Sequence, residues 1–150
     1  MADLSSNSGL AYQGEIRKRT FDVGANLEVF AGQAMISGAN GIVNATSGAG
    51  ADFAGFAYGY VNNLTNSIPH GGAARATEVE CVIQGFVELT VANAAAAAFT
   101  HDDKGLVVYA TDGATFTTDS TGNAVVIGAI EELDDAVGAA SGTVLVKFGF

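Results

Sequence analysis

The sequence predicts an all-β protein: a small β-barrel or β-sandwich built from two related β-meanders, with an extended N-terminal arm. Three observations carry that prediction. Over Val79–Val91 the odd positions read Val79, Cys81, Ile83, Gly85, Val87, Leu89, Val91, and Glu80, Gln84 and Glu88 fall between them. A repeat of two places one set on one face of a strand, whereas a helix would scatter it. The segment Gly105–Ile130 lies over Gly32–Ala57 without gaps at an offset of 73, matching Gly32 to Gly105, Ser47 to Ser120 and Gly55 to Gly128. The 150 residues hold 20 Gly, 1 Pro and only 15% charged residues, a composition suited to strands joined by tight turns.

The chain divides at residue 20. Met1–Leu10 is rich in Ser, Asn and Gly, the composition of a mobile segment. Arg17, Lys18 and Arg19 then supply half of the 6 basic residues, with Tyr12, Ile16 and Phe21 as apolar points along the same stretch. One reading is a solvated charge run at a frayed end. The other is an arm that crosses onto a neighbour, with residues 1–20 dispensable for folding and 21–150 forming the barrel. Asn40-Gly41, between Met35-Ile36 and Ile42-Val43, marks a hairpin because both residues tolerate positive φ. A turn over Ser47–Ala51 leads to a strand over Phe53–Val61. Asn62–Ala76 is the longest irregular stretch and holds Pro69, His70, Gly71-Gly72 and Arg75.

The central strand over Thr77–Ala92 is one long strand or two segments bent at Gly85, where a glycine marks a bulge. Its second face is half apolar through Val82 and Phe86, which implies a cover such as another subunit. Asn93–Phe99 reads as one or two helical turns with Asn93 as N-cap, or equally as a loop. The second copy of the strand–turn–strand pattern follows, then an acidic loop over Glu131–Ala136. A closing strand, Thr143–Phe150, carries Val144, Val146 and Phe148 on one face.

Sixteen acidic against 6 basic residues give a net charge of −10, which repels nucleic acid and anionic membranes. The single cysteine, Cys81, excludes an intrachain disulfide and a Cys-rich zinc site, and its place on the apolar face reads as core. No apolar run reaches the ~18–20 residues of a membrane span. The N-terminus has neither a basic start nor an apolar core, so folding in a cytoplasm is expected. Catalytic patterns are weak: His101-Asp102-Asp103 is the best metal-like cluster and reads as a solvated loop. Gly48-Ala49-Gly50 lacks the lysine of a phosphate loop. No catalytic, cofactor or metal residues are assigned.

Specific wording appears in the second half. Gly85-Phe-Val-Glu-Leu-Thr-Val precedes an Ala-rich connection, then come Lys104-Gly-Leu-Val-Val-Tyr-Ala-Thr-Asp-Gly, Thr115-Phe-Thr-Thr, Ile127-Gly-Ala-Ile and Thr143-Val-Leu-Val-Lys-Phe. This order resembles the capsid decoration, or cement, proteins of tailed bacteriophages over Glu78–Phe150, with fainter agreement over Gly32–Val61. The resemblance implies a non-enzymatic β-rich homotrimer on the outer capsid surface of the virion, made in the bacterial host cytoplasm and clamping adjacent major capsid protein subunits. Tyr12, Ile16, Arg17, Lys18, Arg19 and Phe21 are the expected partner contacts, and Val82, Phe86, Phe56 and Tyr58 the expected trimer contacts. The reading from another class is a carbohydrate-binding module or adhesin-like domain, against which the absence of Trp counts.

Overall fold

The computed structural model describes residues 4, 7, 9–46, 52–64 and 78–150. The turn over Ser47–Ala51 and most of the stretch after Leu64, with Pro69, His70 and Arg75, lie outside the described residues. The strands are β1 (Tyr12–Asp22), β2 (Leu27–Val29), β3 (Ala34–Gly38), β4 (Gly41–Asn44), β5 (Phe53–Ala57), β6 (Val61–Asn63), β7 (Glu78–Ala92), β8 (Val107–Ala110), β9 (Phe116–Thr117), β10 (Val125–Glu132) and β11 (Ser141–Phe148). All but β2 and β6, which pair with each other, join one nine-stranded sheet that closes on itself through β7 and β11. The all-β barrel-like architecture expected from the sequence is therefore the one observed.

The organising strand is one strand, β7, 15 residues long. Its length lets it serve two units in succession. The second unit is a closed ring: β8 lies between β9 and β10, β10 pairs with β11, β11 pairs with the C-terminal part of β7, and β7 pairs in parallel with β9. The first unit repeats that order. β3 lies between β4 and β5, β5 pairs with the N-terminal part of β7, β7 pairs with β1, and Val23 just beyond β1 bridges Ile42 of β4 in parallel.

The two units agree in register. Ala34 faces Phe56 and Met35 faces Gly55, a bulge follows, and Ile36 faces Phe53. Val107 faces Ala129 and Val108 faces Gly128, a bulge follows, and Tyr109 faces Val126. Each pair sits 73 residues from its counterpart. Beyond them, Ala57–Cys81–Arg19 corresponds to Ile130–Val146–Val87. The hairpins differ: Gly38 faces Gly41 across a two-residue turn, whereas Ala110 faces Phe116 across a longer loop. In each unit the first strand is the middle one of its three. Neither is thus a meander, in which the second strand would lie in the middle, although the relationship between the halves holds.

Glycine is needed at both bulges for lack of room. A Cβ on Gly55 would lie 2.5 Å from the carbonyl oxygen of Val82, and one on Gly128 would lie 2.1 Å from that of Lys147. In each unit the third strand presses its bulge against the backbone of the next strand. Gly41 carries the tight hairpin, with φ +128° and no space for a side chain against Asp22 and Val23.

Side-chain alternation then distributes two cores. Cys81 and Val82 point to opposite sides of the first unit's sheet. Cys81 joins Val23, Met35, Ile42, Ala57 and Val79 inside the first unit, where Val29 of β2 and Val61 of β6 complete the filling. Val82 joins Ala34, Ile36 and Phe56 on the outer side, and these pack against the interior of the second unit. The seam is aromatic: the Phe56 ring meets Phe148 at 5.2 Å and Phe116 at 6.1 Å, both edge to face. Fully burying each such side chain stabilises by ~1.5–3 kcal/mol.

Three local expectations are corrected. Residues 12–22 form a sheet strand bonded to β7 of the same chain, so the boundary at residue 20 does not mark a detached arm. The bulge opposite Gly85 belongs to β1: Gln13 faces Phe86, Arg17 faces Gln84, and Gly14, Glu15 and Ile16 bow out between them. The expected strand over Phe53–Val61 breaks at Tyr58–Tyr60, giving β5 and β6 in different sheets. The alanine run, by contrast, keeps to its expected range: it makes a single 3-10 turn, Ala94–Ala96, capped by the Asn93 side chain, which accepts from the Ala94 amide, with Ala95 and Ala96 at φ +56° and +53°.

Candidate interaction surface

The basic stretch stays at the surface although its backbone is in the sheet. Arg17, Lys18 and Arg19 are all exposed. Lys18 Nζ lies 3.4 Å from Glu80 Oε1 and 4.4 Å from the centre of the Tyr58 ring. The Arg19 guanidinium sits 5.6 Å from the Phe21 ring. Water screens such pairs, so each contributes well under ~1 kcal/mol. The apolar points of this stretch are used internally. Tyr12 and Ile16 pack on the larger core and Phe21 on the smaller one. Ile16 lies over Gly85, where an added Cβ would meet it at 3.1 Å. Burial, with the nearby Cys81 and Tyr58, raises the Tyr12 phenol well above its ordinary pKa.

The four residues expected at a trimer contact separate into two pairs. Val82 and Phe56 are 0% exposed inside the chain's own core, so they cannot touch another subunit. The half-apolar second face of β7 is covered at Val82 by the chain itself, because the first unit's sheet lies against the second unit. Tyr58 is exposed beside Lys18, and Phe86 is half-buried on the outside of the second unit.

Phe86 belongs to a row that crosses four strands. It faces Lys147 of β11, Lys147 faces Ala129 of β10, and Ala129 faces Val107 of β8. The Phe150 ring stands 5.5 Å from that of Phe86, with Lys147 Nζ 5.1 Å from its centre. Leu106, Val107, Val126 and Phe150 are all exposed, up to 50% for Val126 and 69% for Phe150. Sequence reasoning passed over this surface. Its one signal was that Leu106, Val107, Val108 and Tyr109 are apolar at every position, which supplies both faces of β8 with apolar side chains.

Elsewhere the polar groups mostly have local partners; Asp112 Oδ1 accepts from the Ala114 amide, while its buried Oδ2 has no hydrogen-bond partner among the described residues. Gln13, Glu88, Glu132, Asp134 and Asp135 line a shallow open depression of ≈190 Å³. His101 lies 3.6 Å from Asp134, both in water, and Asp103 closes a capping box with Thr100 instead of facing a ligand. Among the described residues no group of three or more His, Cys, Asp or Glu side chains is placed to hold a metal ion. The Tyr60 hydroxyl donates to the Glu28 carboxylate; partial burial and that bond push its pKa up to about 12. Burial, aided by the neighbouring Glu80 charge, likewise pushes the Cys81 thiol up to about 12, which suppresses the reactive thiolate. Among the described residues no helix is long and apolar enough to cross a membrane.

No family model, curated protein or solved structure matches this chain.

Proposed function

We propose that this chain is a structural protein of a phage virion, which binds the outer surface of an icosahedral head as a homotrimer and stabilises it by bridging major capsid protein subunits. One observation carries the reading: the stronger part of the resemblance, from Gly85 on, falls within a single folded unit. Gly85–Val91 lies in β7, Val107–Ala110 forms β8, Asp112-Gly113 the loop to β9, Ile127–Ile130 lies in β10, and Thr143–Phe148 in β11. From Gly85 onward these segments supply successive strands of one closed ring. The exposed apolar row on that ring supplies adhesive surface of the kind an assembly protein needs.

The test is co-sedimentation of the purified protein with empty heads assembled from the major capsid protein of the phage genome that would carry it. Saturable binding, with heads that resist heating better when coated, supports the reading. Heads that sediment without the protein at micromolar concentration refute it.

A further inference from the structure

The equivalence of the two units makes an internal control for every surface. In the first unit the row equivalent to Phe86–Lys147–Ala129–Val107 is Lys18–Val82–Phe56–Ala34. Each row holds one Phe, one Lys, one Ala and one Val. Within the chain, Val82, Phe56 and Ala34 are fully buried beneath the second unit. In the second unit Val107 is 38% exposed, with no element among the described residues burying it. The two rows also differ in their lysines. Lys18 pairs with Glu80, whereas Lys147, in a chain of net charge −10, forms no ion pair among the described residues and stands over the Phe150 ring.

From this difference we infer that the outer face of β8, β10 and β11 is the docking surface, and that its occupant is a protein surface presenting apolar side chains around a carboxylate that meets Lys147. Charge selects the occupant. A cation that lies between Phe86 and Ala129 and stands over the Phe150 ring, on a face that also exposes Val107 and Val126, gains most from a carboxylate brought in with apolar surroundings, because the pair is then shielded from water. A second copy docked in the manner of the internal seam is disfavoured, since the end of its second unit is already covered by its own Phe56. The inference rests on the proposed function, in which the occupant is the head.

The experiment uses the full chain and the empty heads described above, with Lys147→Glu and Val126→Glu as variants and Arg17→Glu as the comparison on β1. All three sites are exposed, so each variant should keep the melting temperature of the parent, checked by calorimetry. Affinity should fall about tenfold or more for Lys147→Glu and Val126→Glu and stay within about twofold for Arg17→Glu. Acetylation of bound complexes should find Lys147 protected and Lys104 reactive. Parent binding with Lys147 still reactive and both variants unimpaired would overturn the inference while leaving the function standing. Failure of the parent chain to bind heads would sink the function, and this occupant with it. A stable homo-oligomer in which Lys147 is protected before heads are added would give the face to a second copy and overturn the inference too.

Discussion

β1 and the C-terminal part of β7 hold the same place in their units, yet the chain treats them differently. In the second unit the inward side chains of that strand are Val87, Leu89 and Val91, all buried. By the shared register their counterparts are Arg19 and Phe21 on β1 and Val23 just beyond it, and only Val23 is buried. The first unit is therefore a shorter barrel. It ends at Arg19, fills with smaller groups such as Cys81 and Ala57, and borrows Val29 and Val61 from the β2–β6 ribbon. The difference teaches that register here is held by backbone features, two bulges each fixed by a glycine without room for a methyl group. Core composition then varies around a constant frame.

The largest way to break that comparison is to remove β1. If the first unit needs its fifth strand, deleting residues 1–20 should cost about 5 kcal/mol or more, through the lost ladder to β7 and the lost burial of Tyr12 and Ile16. Urea unfolding measures it. This is the reverse of what a detached arm would give. The seam between the units comes next. Phe56→Ala should destabilise by about 3–5 kcal/mol, because the cavity opens beneath Phe148 and Phe116, where neither unit can collapse into it.

Cys81 sharpens the contrast between the cores by its ionisation. Its folded pKa of about 12 lies above the ordinary 9.0. A raised pKa favours the protonated form in the folded state, so the contribution is fully present below about pH 9 and is lost as pH rises toward about 12. Over that window stability should fall by about 1.4 kcal/mol per pH unit from this group. Urea midpoints at several alkaline pH values, compared between the parent and Cys81→Ala, isolate it; equal slopes would place the thiol in water.

The bulge glycines test the shared register directly. Gly55→Ala and Gly128→Ala should each cost about 2–3 kcal/mol, by overpacking against the next strand's carbonyl. A loss at one with tolerance at the other would mean that only one unit depends on its bulge. The smallest effect belongs to Lys18→Ala. Its pair with Glu80 is exposed, so stability should change by less than about 1 kcal/mol.

Much of this frame was legible because period-two patterns and gap-free repeats survive in side-chain type. Val79, Cys81, Val87, Leu89 and Val91 announced β7, and the offset of 73 announced the paired units and even aligned Gly55 with Gly128. What alternation cannot say is which core a buried residue joins. Val82, between Glu80 and Gln84, pointed to a cover from another subunit, but the cover is the chain's own second unit, reached only through long-range pairing. The same blindness hid β1. Its sequence is polar because one edge and much of one face meet water, and a strand held mainly by backbone bonds leaves little trace in side chains. The exposed face around Lys147 was hidden for the opposite reason: apolar residues in a strand read as core until the topology shows that no described element buries them.

The measurement that bears most directly on the paired-unit architecture is residue-resolved amide hydrogen exchange on the free protein at two concentrations. If β1 closes the first unit within its own chain, amides of β1 bonded to β7 should be protected to a degree comparable with the N-terminal part of β7, unchanged on dilution. Exchange of β1 at coil rates beside a protected β7, or protection that disappears on dilution, would contradict it.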